Sequence, residues 1–201
     1  METVSFYVNV ASFTLLILIW VVFAATFLLR KKPAVVAPER KRSPNSIVGI
    51  ALQGVGFALV WTLRRNPFLS PFVHEQYFLN TVLQILAICI ALGSVWLAKS
   101  ALSELGKQWS LTARLIEDHK LVTSGVYSFV RHPIYTAMLG MLLAAGLAYS
   151  HWLILIVAAI IFLVGTRIRT ASEEALLRNQ FRSEYQDYAR RVPGLIPFLK
   201  I

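Results

Sequence analysis

A bilayer core about 30 Å thick takes roughly 20 consecutive apolar residues in a helix, and this chain carries apolar runs of that scale repeatedly. The first is Phe6–Leu29, closed by Arg30-Lys31-Lys32. It is too long for a signal-peptide core, follows no basic leader and ends in no small-residue cleavage site, so it reads as a retained helix. The second, Ile47–Leu63, is barely long enough. It contains Gly49, Gly54 and Gly56, and small residues let helices approach closely. The third is Tyr77–Ala98. The fourth, Ile134–Gly165, is too long for one straight span and short for two. Tyr149-Ser150-His151-Trp152 at its middle predicts a tight hairpin of two spans of about fifteen residues each.

Between these runs lie polar segments. Arg30–Ser46 is a Pro-containing linker, and Arg64–Gln76 is a short loop in which Pro67 and Pro71 stop the helix. Lys99–Arg131 is too polar for lipid. In the tail, Arg167–Arg191, Leu176, Leu177, Phe181, Tyr185 and Tyr188 recur on one helical face. This predicts an amphipathic helix under the membrane, ended by Pro193-Gly194. Composition agrees, with 57% of the residues apolar and 15% charged. Soluble domains average about 45–50% and about 25%. Disorder is excluded. The expected fold is an all-α integral membrane bundle of about five transmembrane helices with a C-terminal amphipathic cytosolic helix. Residues 1–104 would carry the first three spans and the basic loop, and residues 105–201 the hairpin and the tail.

The net charge is +10, from 20 basic and 10 acidic residues. In a membrane chain such an excess marks cytosolic loops and contact with anionic membrane lipids rather than nucleic acid, and no nucleic-acid partner is expected. The first loop holds Arg30, Lys31, Lys32, Arg40, Lys41 and Arg42, whereas the second holds only Arg64 and Arg65. The positive-inside rule then puts the first loop in the cytosol and the N-terminus outside. Counting five spans returns Lys99–Arg131 and the C-terminus to the cytosol. Trp20, Trp61, Trp96, Trp109 and Trp152 fall mostly near span ends, as interfacial belts do. Cys89 is the single cysteine, small and either buried or lipid-facing, so no disulfide and no cysteine cluster can form. No pair among His74, His119, His132 and His151 has short helical ligand spacing, so no metal is expected. Gly-rich phosphate loops and nucleophile elbows are absent.

The chemistry-bearing residues form two blocks flanking the hairpin, whose closure should bring them together at the cytosolic membrane face. The first runs His119-Lys120-Leu121-Val122-Thr123-Ser124-Gly125-Val126-Tyr127, then Arg131-His132-Pro133-Ile134-Tyr135. Pro133 suits a first helical turn, Gly125 marks a turn, and the free N–H groups of that helix start could bind anionic or polar groups. The bland reading is an Arg-His anchor reaching the headgroups. The second block is Arg167, Arg169, Glu173, Glu174, Phe181, Glu184, Tyr185 and Tyr188. Arg169 and Glu173 share a helix face, and here the bland reading is a solvated salt bridge of little worth.

In this order and spacing the two blocks resemble the isoprenylcysteine carboxyl methyltransferase family, part of a wider group that includes phospholipid N-methyltransferases. The resemblance spans Leu105–Pro197 and rests on His119–Tyr127, Arg131-His132-Pro133-x-Tyr135, Arg169-x-x-x-Glu173-Glu174, Phe181-x-x-Glu184-Tyr185-x-x-Tyr188 and the closing Arg191–Phe198. Ala137 stands where the family usually has Gly, and Ala171-Ser172 where a longer acidic run is common. The resemblance implies S-adenosylmethionine-dependent methyl transfer, with 105–201 as the catalytic region. It implies that His119, Lys120, Leu121, Val122, Tyr127, Arg131, His132, Pro133, Ile134, Tyr135, Glu173 and Glu174 line or support the S-adenosylmethionine pocket. Arg169 would hold the substrate, and Arg169 and His132 would be catalytic. A carboxylate such as Glu173 suits the cofactor's ammonium and sulfonium, and Arg169 can hold a carboxylate at two points. The implied acceptor is lipophilic or prenylated and enters from the bilayer. A carboxylate acceptor needs no general base, whereas an amine acceptor would need one, with His132 or Glu174 as candidates. Three other readings stay open here: a phospholipid amine N-methyltransferase, an NADPH-dependent reductase of the sterol-reductase type, and a scaffold or small transporter. Against transport, no charged residue falls deep inside an expected span.

Overall fold

In hydrocarbon every backbone N–H and C=O must be paired within the chain, and apolar runs of this length meet that demand as helices. The computed structural model describes residues 2–29, 39–42, 46–65, 77–112, 114–116 and 119–197. Arg30–Lys32, Pro67, Pro71 and His74 lie outside the described residues. The order is α1 (Glu2–Leu28), β1 (Glu39–Arg42), α2 (Ser46–Thr62), α3 (Tyr77–Leu105), β2 (Arg114–Ile116), α4 (Pro133–Tyr149) and α5 (Trp152–Arg191). Short 3-10 turns lie at Gly106–Gln108 and Gly125–Ser128. α1, α3 and α5 are long and apolar enough to cross a membrane. α2 and α4 are apolar helices of 17 residues, about 25 Å each at 1.5 Å per residue. The chain is a membrane-embedded helical bundle.

The hairpin breaks where expected. α4 stops at Tyr149, Ser150 and His151 are extended, and α5 restarts at Trp152. α3 continues past Ala98 to Leu105. Two features depart from the sequence reading. The tail does not begin as a separate helix at Arg167: α5 runs unbroken through that point, and a second helical segment follows a kink at Arg182, with φ 47 and ψ −116, and ends at Arg191. No Gly or Pro stands between Gly165 and Pro193 to stop it. Part of the first linker is a strand, with β1 pairing antiparallel with β2 in the register Lys41↔Leu115 and Arg42↔Arg114.

Small residues set the helix spacing. Ala87, Ala91, Ser94, Ala98 and Ala101 of α3 are buried, and Ala137, Ala144, Ala145 and Ala148 of α4 join the same core. Gly49 of α2 faces Gly165 of α5 so closely that a Cβ on Gly49 would stand 2.6 Å from the Gly165 carbonyl oxygen. Trp20 and Trp61 also pack within the bundle. They stack edge to face at 5.6 Å inside a cluster with Phe23 and Phe57. Trp96 and Trp152, by contrast, are exposed, as are Leu18, Val21 and Leu86. Cys89 is exposed on α3.

Candidate active site

The start of α4, the middle of α5 and the connection after α3 converge on one cavity of about 140 Å³. Its lining holds His119, Lys120, Leu121, Val122, Tyr127, Arg131, His132, Pro133, Ile134, Tyr135, Arg169 and Glu173. Glu174 stands behind this wall and supports it. The two sequence blocks therefore meet, as closure of the hairpin requires.

Neither bland reading holds. His132 is 7% exposed and Arg169 5%, so neither side chain snorkels to headgroups or faces solvent. His132 Nε2 lies 3.1 Å from Glu174 Oε1 and its Nδ1 lies 3.5 Å from Glu173 Oε2. Glu174 is further held by Arg131 at 3.1 Å and Arg178 at 3.0 Å, and the Tyr135 hydroxyl donates to Glu173. Burial by itself would lower the His132 pKa, but the hydrogen bonds and negative charges of Glu173 and Glu174 raise it overall. With a carboxylate at each ring nitrogen, the imidazolium is the favoured form. Burial lowers the pKa of His119.

Arg169 does not pair with Glu173. Its Nη1 donates to Gln53 Oε1 at 2.8 Å and its Nη2 to the Leu111 carbonyl at 2.5 Å. The guanidinium lies over the Tyr135 ring, 4.7 Å from the centroid, and Nε is buried with no partner. Among the described residues no carboxylate lies within 4 Å of it, whereas Glu173 and Glu174 are spent on other groups. A buried cation held only by neutral acceptors is poised for an anion.

The tail closes the cavity from above. Tyr185, Tyr188 and Val192 pack with Leu121, Leu177 and Phe181, and the Tyr188 hydroxyl donates to the Tyr127 carbonyl at 2.7 Å. The expected apolar face of the tail thus becomes a cavity wall. The two residues before the start of α4 are tied to the tail. Arg131 N donates to Pro193 O at 2.9 Å and His132 N to Gly194 O at 3.0 Å, while Arg131 Nη1 donates to Ala189 O at 2.7 Å. Gly125 takes φ +56, and a Cβ there would meet the Glu104 carboxylate at 2.3 Å, so that turn requires glycine.

Sequence reasoning missed Gln53, Gln108 and Arg178. Gln108 accepts from the Lys120 backbone N–H at 2.5 Å. Gln53 is the lone amide or charged side chain of α2, and a lone polar residue inside a span is a signal that could have singled it out.

The profile of the phospholipid methyltransferase family matches residues 82–184. The chain is 28% identical over 149 residues to protein-S-isoprenylcysteine O-methyltransferase of Schizosaccharomyces pombe, covering 73% of this chain and 61% of that protein. It is 30% identical over 134 residues to a probable protein-S-isoprenylcysteine O-methyltransferase of Oryza sativa subsp. indica, covering 66% of this chain and 68% of that protein. A solved eukaryotic intramembrane Ras methyltransferase, an isoprenylcysteine carboxyl methyltransferase, aligns with TM-score 0.47 and 22% identity over 80% of this chain and 55% of that one. The chain thus spans about three fifths of the length of the first relative named.

Proposed function

We propose, on the premise that this chain belongs to the phospholipid methyltransferase family and its isoprenylcysteine carboxyl methyltransferase branch, that it methylates a carboxylate on an amphiphilic, prenylcysteine-like acceptor. The donor in this reading is S-adenosylmethionine. The residues present fit that group. His119 Nδ1 is buried without a partner, and Leu121, Val122, Ile134 and Leu176 add apolar surface to the same cavity, a lining suited to a heterocycle with polar edges. Glu173 offers a carboxylate to the ammonium and sulfonium. When bound, the donor supplies a methyl on positive sulfur, which passes to an oxygen nucleophile as the S–C electron pair returns to sulfur.

The residues then divide their work. His119, Lys120, Leu121, Val122, Tyr127, Pro133, Ile134 and Tyr135 hold the donor. Arg131 and Glu174 brace the wall behind it. His132 fixes the Glu173 carboxylate through its two ring contacts, as a positioning residue. Arg169 holds the acceptor carboxylate, in keeping with the pairing of a guanidinium fork and two oxygens. A carboxylate is ionised at neutral pH, so the oxygen reacts without losing a proton. This matters because His132, held as the imidazolium, is no free base, which disfavours the amine-acceptor alternative. The family match supports methyl transfer over the reductase alternative. Catalysis consists of alignment and water exclusion.

The observation that carries this reading is the buried Arg169 guanidinium on the cavity wall, held by two neutral acceptors. In orientation, we place the cavity, the first loop and the C-terminus on the cytosolic side. The test is calorimetric titration of detergent-purified protein with S-adenosylhomocysteine and with NADPH, followed by mass spectrometry of an N-acetylated S-prenylcysteine after incubation with the donor. Micromolar binding of S-adenosylhomocysteine and a methyl ester sensitive to base are expected. NADPH binding alone would return the reductase.

A further inference from the structure

Arg169 lies on α5, within the matched family region, as does the Leu111 carbonyl that accepts from its Nη2, but the side chain that accepts from its Nη1 lies outside that region, on α2. Gln53 is 2% exposed and is not among the residues lining the cavity. Its amide has one accepting and one donating end. A guanidinium only donates, so Oε1 must face Arg169, and Nε2 must then find an acceptor elsewhere. It finds Thr166 Oγ1 at 2.8 Å, one turn before Arg169 on the same helix. Thr166 is itself 2% exposed. The amide therefore spans Thr166 and Arg169 and fixes the guanidinium relative to the helix that carries it.

The helix contact makes this reach possible. A Cβ on Gly49, one turn before Gln53, would meet Arg169 Cγ at 2.4 Å. A Cβ on Gly165 would meet the Gly49 carbonyl oxygen at 2.7 Å. Two glycines thus let α2 lie against α5, where Arg169 passes beside Gly49 to Gln53.

The neutrality of Gln53 is the decisive property. A carboxylate at this position would hold Arg169 equally well but would neutralise it. An apolar side chain would leave the charge intact but the guanidinium held at its Nη2 alone, by the Leu111 carbonyl. An amide fixes the cation and leaves its charge for a ligand. We propose that Gln53 is a positioning residue for acceptor recognition, setting the preference for an anionic carboxylate over a neutral group through Arg169. This rests on the acceptor reading given above.

The test is binding rather than turnover. N-acetyl-S-farnesylcysteine and its neutral carboxamide are titrated into the full-length parent, Gln53→Glu and Gln53→Met in detergent, with S-adenosylhomocysteine affinity measured in each. The parent is expected to prefer the carboxylate by about tenfold or more, as for a charged hydrogen-bonded pair. In both variants that preference is expected to fall to about twofold or less, with S-adenosylhomocysteine affinity kept within about twofold. Retention of the parent preference in both variants overturns the inference. So does loss of S-adenosylhomocysteine binding in both, because Gln53 would then serve the fold and not the acceptor. A parent without any preference overturns the acceptor reading itself, and this inference with it.

Discussion

Glu174 answers to three cations at once. Burial would raise its pKa, but the hydrogen bond with His132 and the charges of Arg131, His132 and Arg178 hold it down to about 2. Its side chain is 9% exposed, against 28% for Glu173. Removing one partner of a buried ion pair costs about 3–5 kcal/mol, because the remaining charges stay buried. Glu174→Ala is therefore expected to destabilise by about 3 kcal/mol, and Glu173→Ala by about 1 kcal/mol once solvent screening is allowed for. Thermal unfolding in detergent checks the ranking, and equal losses would remove the distinction. In binding, Glu173→Ala is expected to weaken S-adenosylhomocysteine more than Arg169→Ala does. The pH dependence follows from His132, whose pKa is raised on folding. A raised group contributes stability fully below its unfolded value of about 6.5 and loses it as pH climbs through the folded value. Glu174, being lowered, contributes fully above its ordinary range and loses its share progressively as pH falls from there to about 2. The melting temperature should thus fall on raising pH from about 6 to 9, and His132→Gln should flatten that fall. These residues were legible as a set, because the spacing of the two blocks around an apolar hairpin brings them together. Their partnerships were not. Arg169 and Glu173 share a helix face, yet Arg169 turns to α2, and which way a side chain turns depends on neighbours distant in sequence.

Helix contacts show what sequence periodicity could and could not supply. The break at Ser150-His151 was readable because one apolar run exceeded a single span. The continuation of α5 past the lipid was not, since the change from apolar to polar residues at Arg167 marks a change of medium and not of backbone. Gly49, Gly54 and Gly56 look alike in sequence, but their surroundings differ. A Cβ on Gly54 meets nothing within 4 Å, whereas one on Gly49 meets the backbone of α5. Gly54→Ala is expected to be neutral or stabilising by up to about 1 kcal/mol through helix propensity. Gly49→Ala should cost about 1–3 kcal/mol through overpacking and weaken carboxylate binding by displacing Arg169. Similar melting temperatures for the two variants would contradict the α2–α5 contact. The turn at Arg182 gives a second contrast. A Gly inside an uninterrupted exposed helix costs about 1 kcal/mol relative to Ala, but at φ 47 a side chain is strained and Gly is not. Arg182→Gly should therefore leave stability unchanged or higher, while Arg182→Ala, which keeps the Cβ, should gain nothing by this route.

At the scale of the whole molecule, two pairings sort the connections by side before any charge rule is applied. β1, in the first loop, pairs with β2 beside the cavity, and the tail covers that cavity through Pro193 and Gly194. At the far end of α4, Arg64 pairs with Ser150, and Arg65 donates to the Ala148 carbonyl at 2.7 Å, closing the helix end. β1 and the site therefore share one face, and Arg64 and Arg65 share the other with the hairpin turn. Applied to this arrangement, the positive-inside rule gives one orientation for the whole chain. It can be read by cysteine labelling in a Cys89→Ala background, since Cys89 is exposed on α3. Lys107 and His151 are both exposed and lie at opposite ends of the bundle. In intact cells an impermeant maleimide should label His151→Cys and spare Lys107→Cys until the membrane is opened. The reverse pattern would invert the chain and put the cavity outside, away from the cytosolic donor. Labelling of both in intact cells would mean that the two ends are not separated by the bilayer, and the five-helix crossing would fail with it.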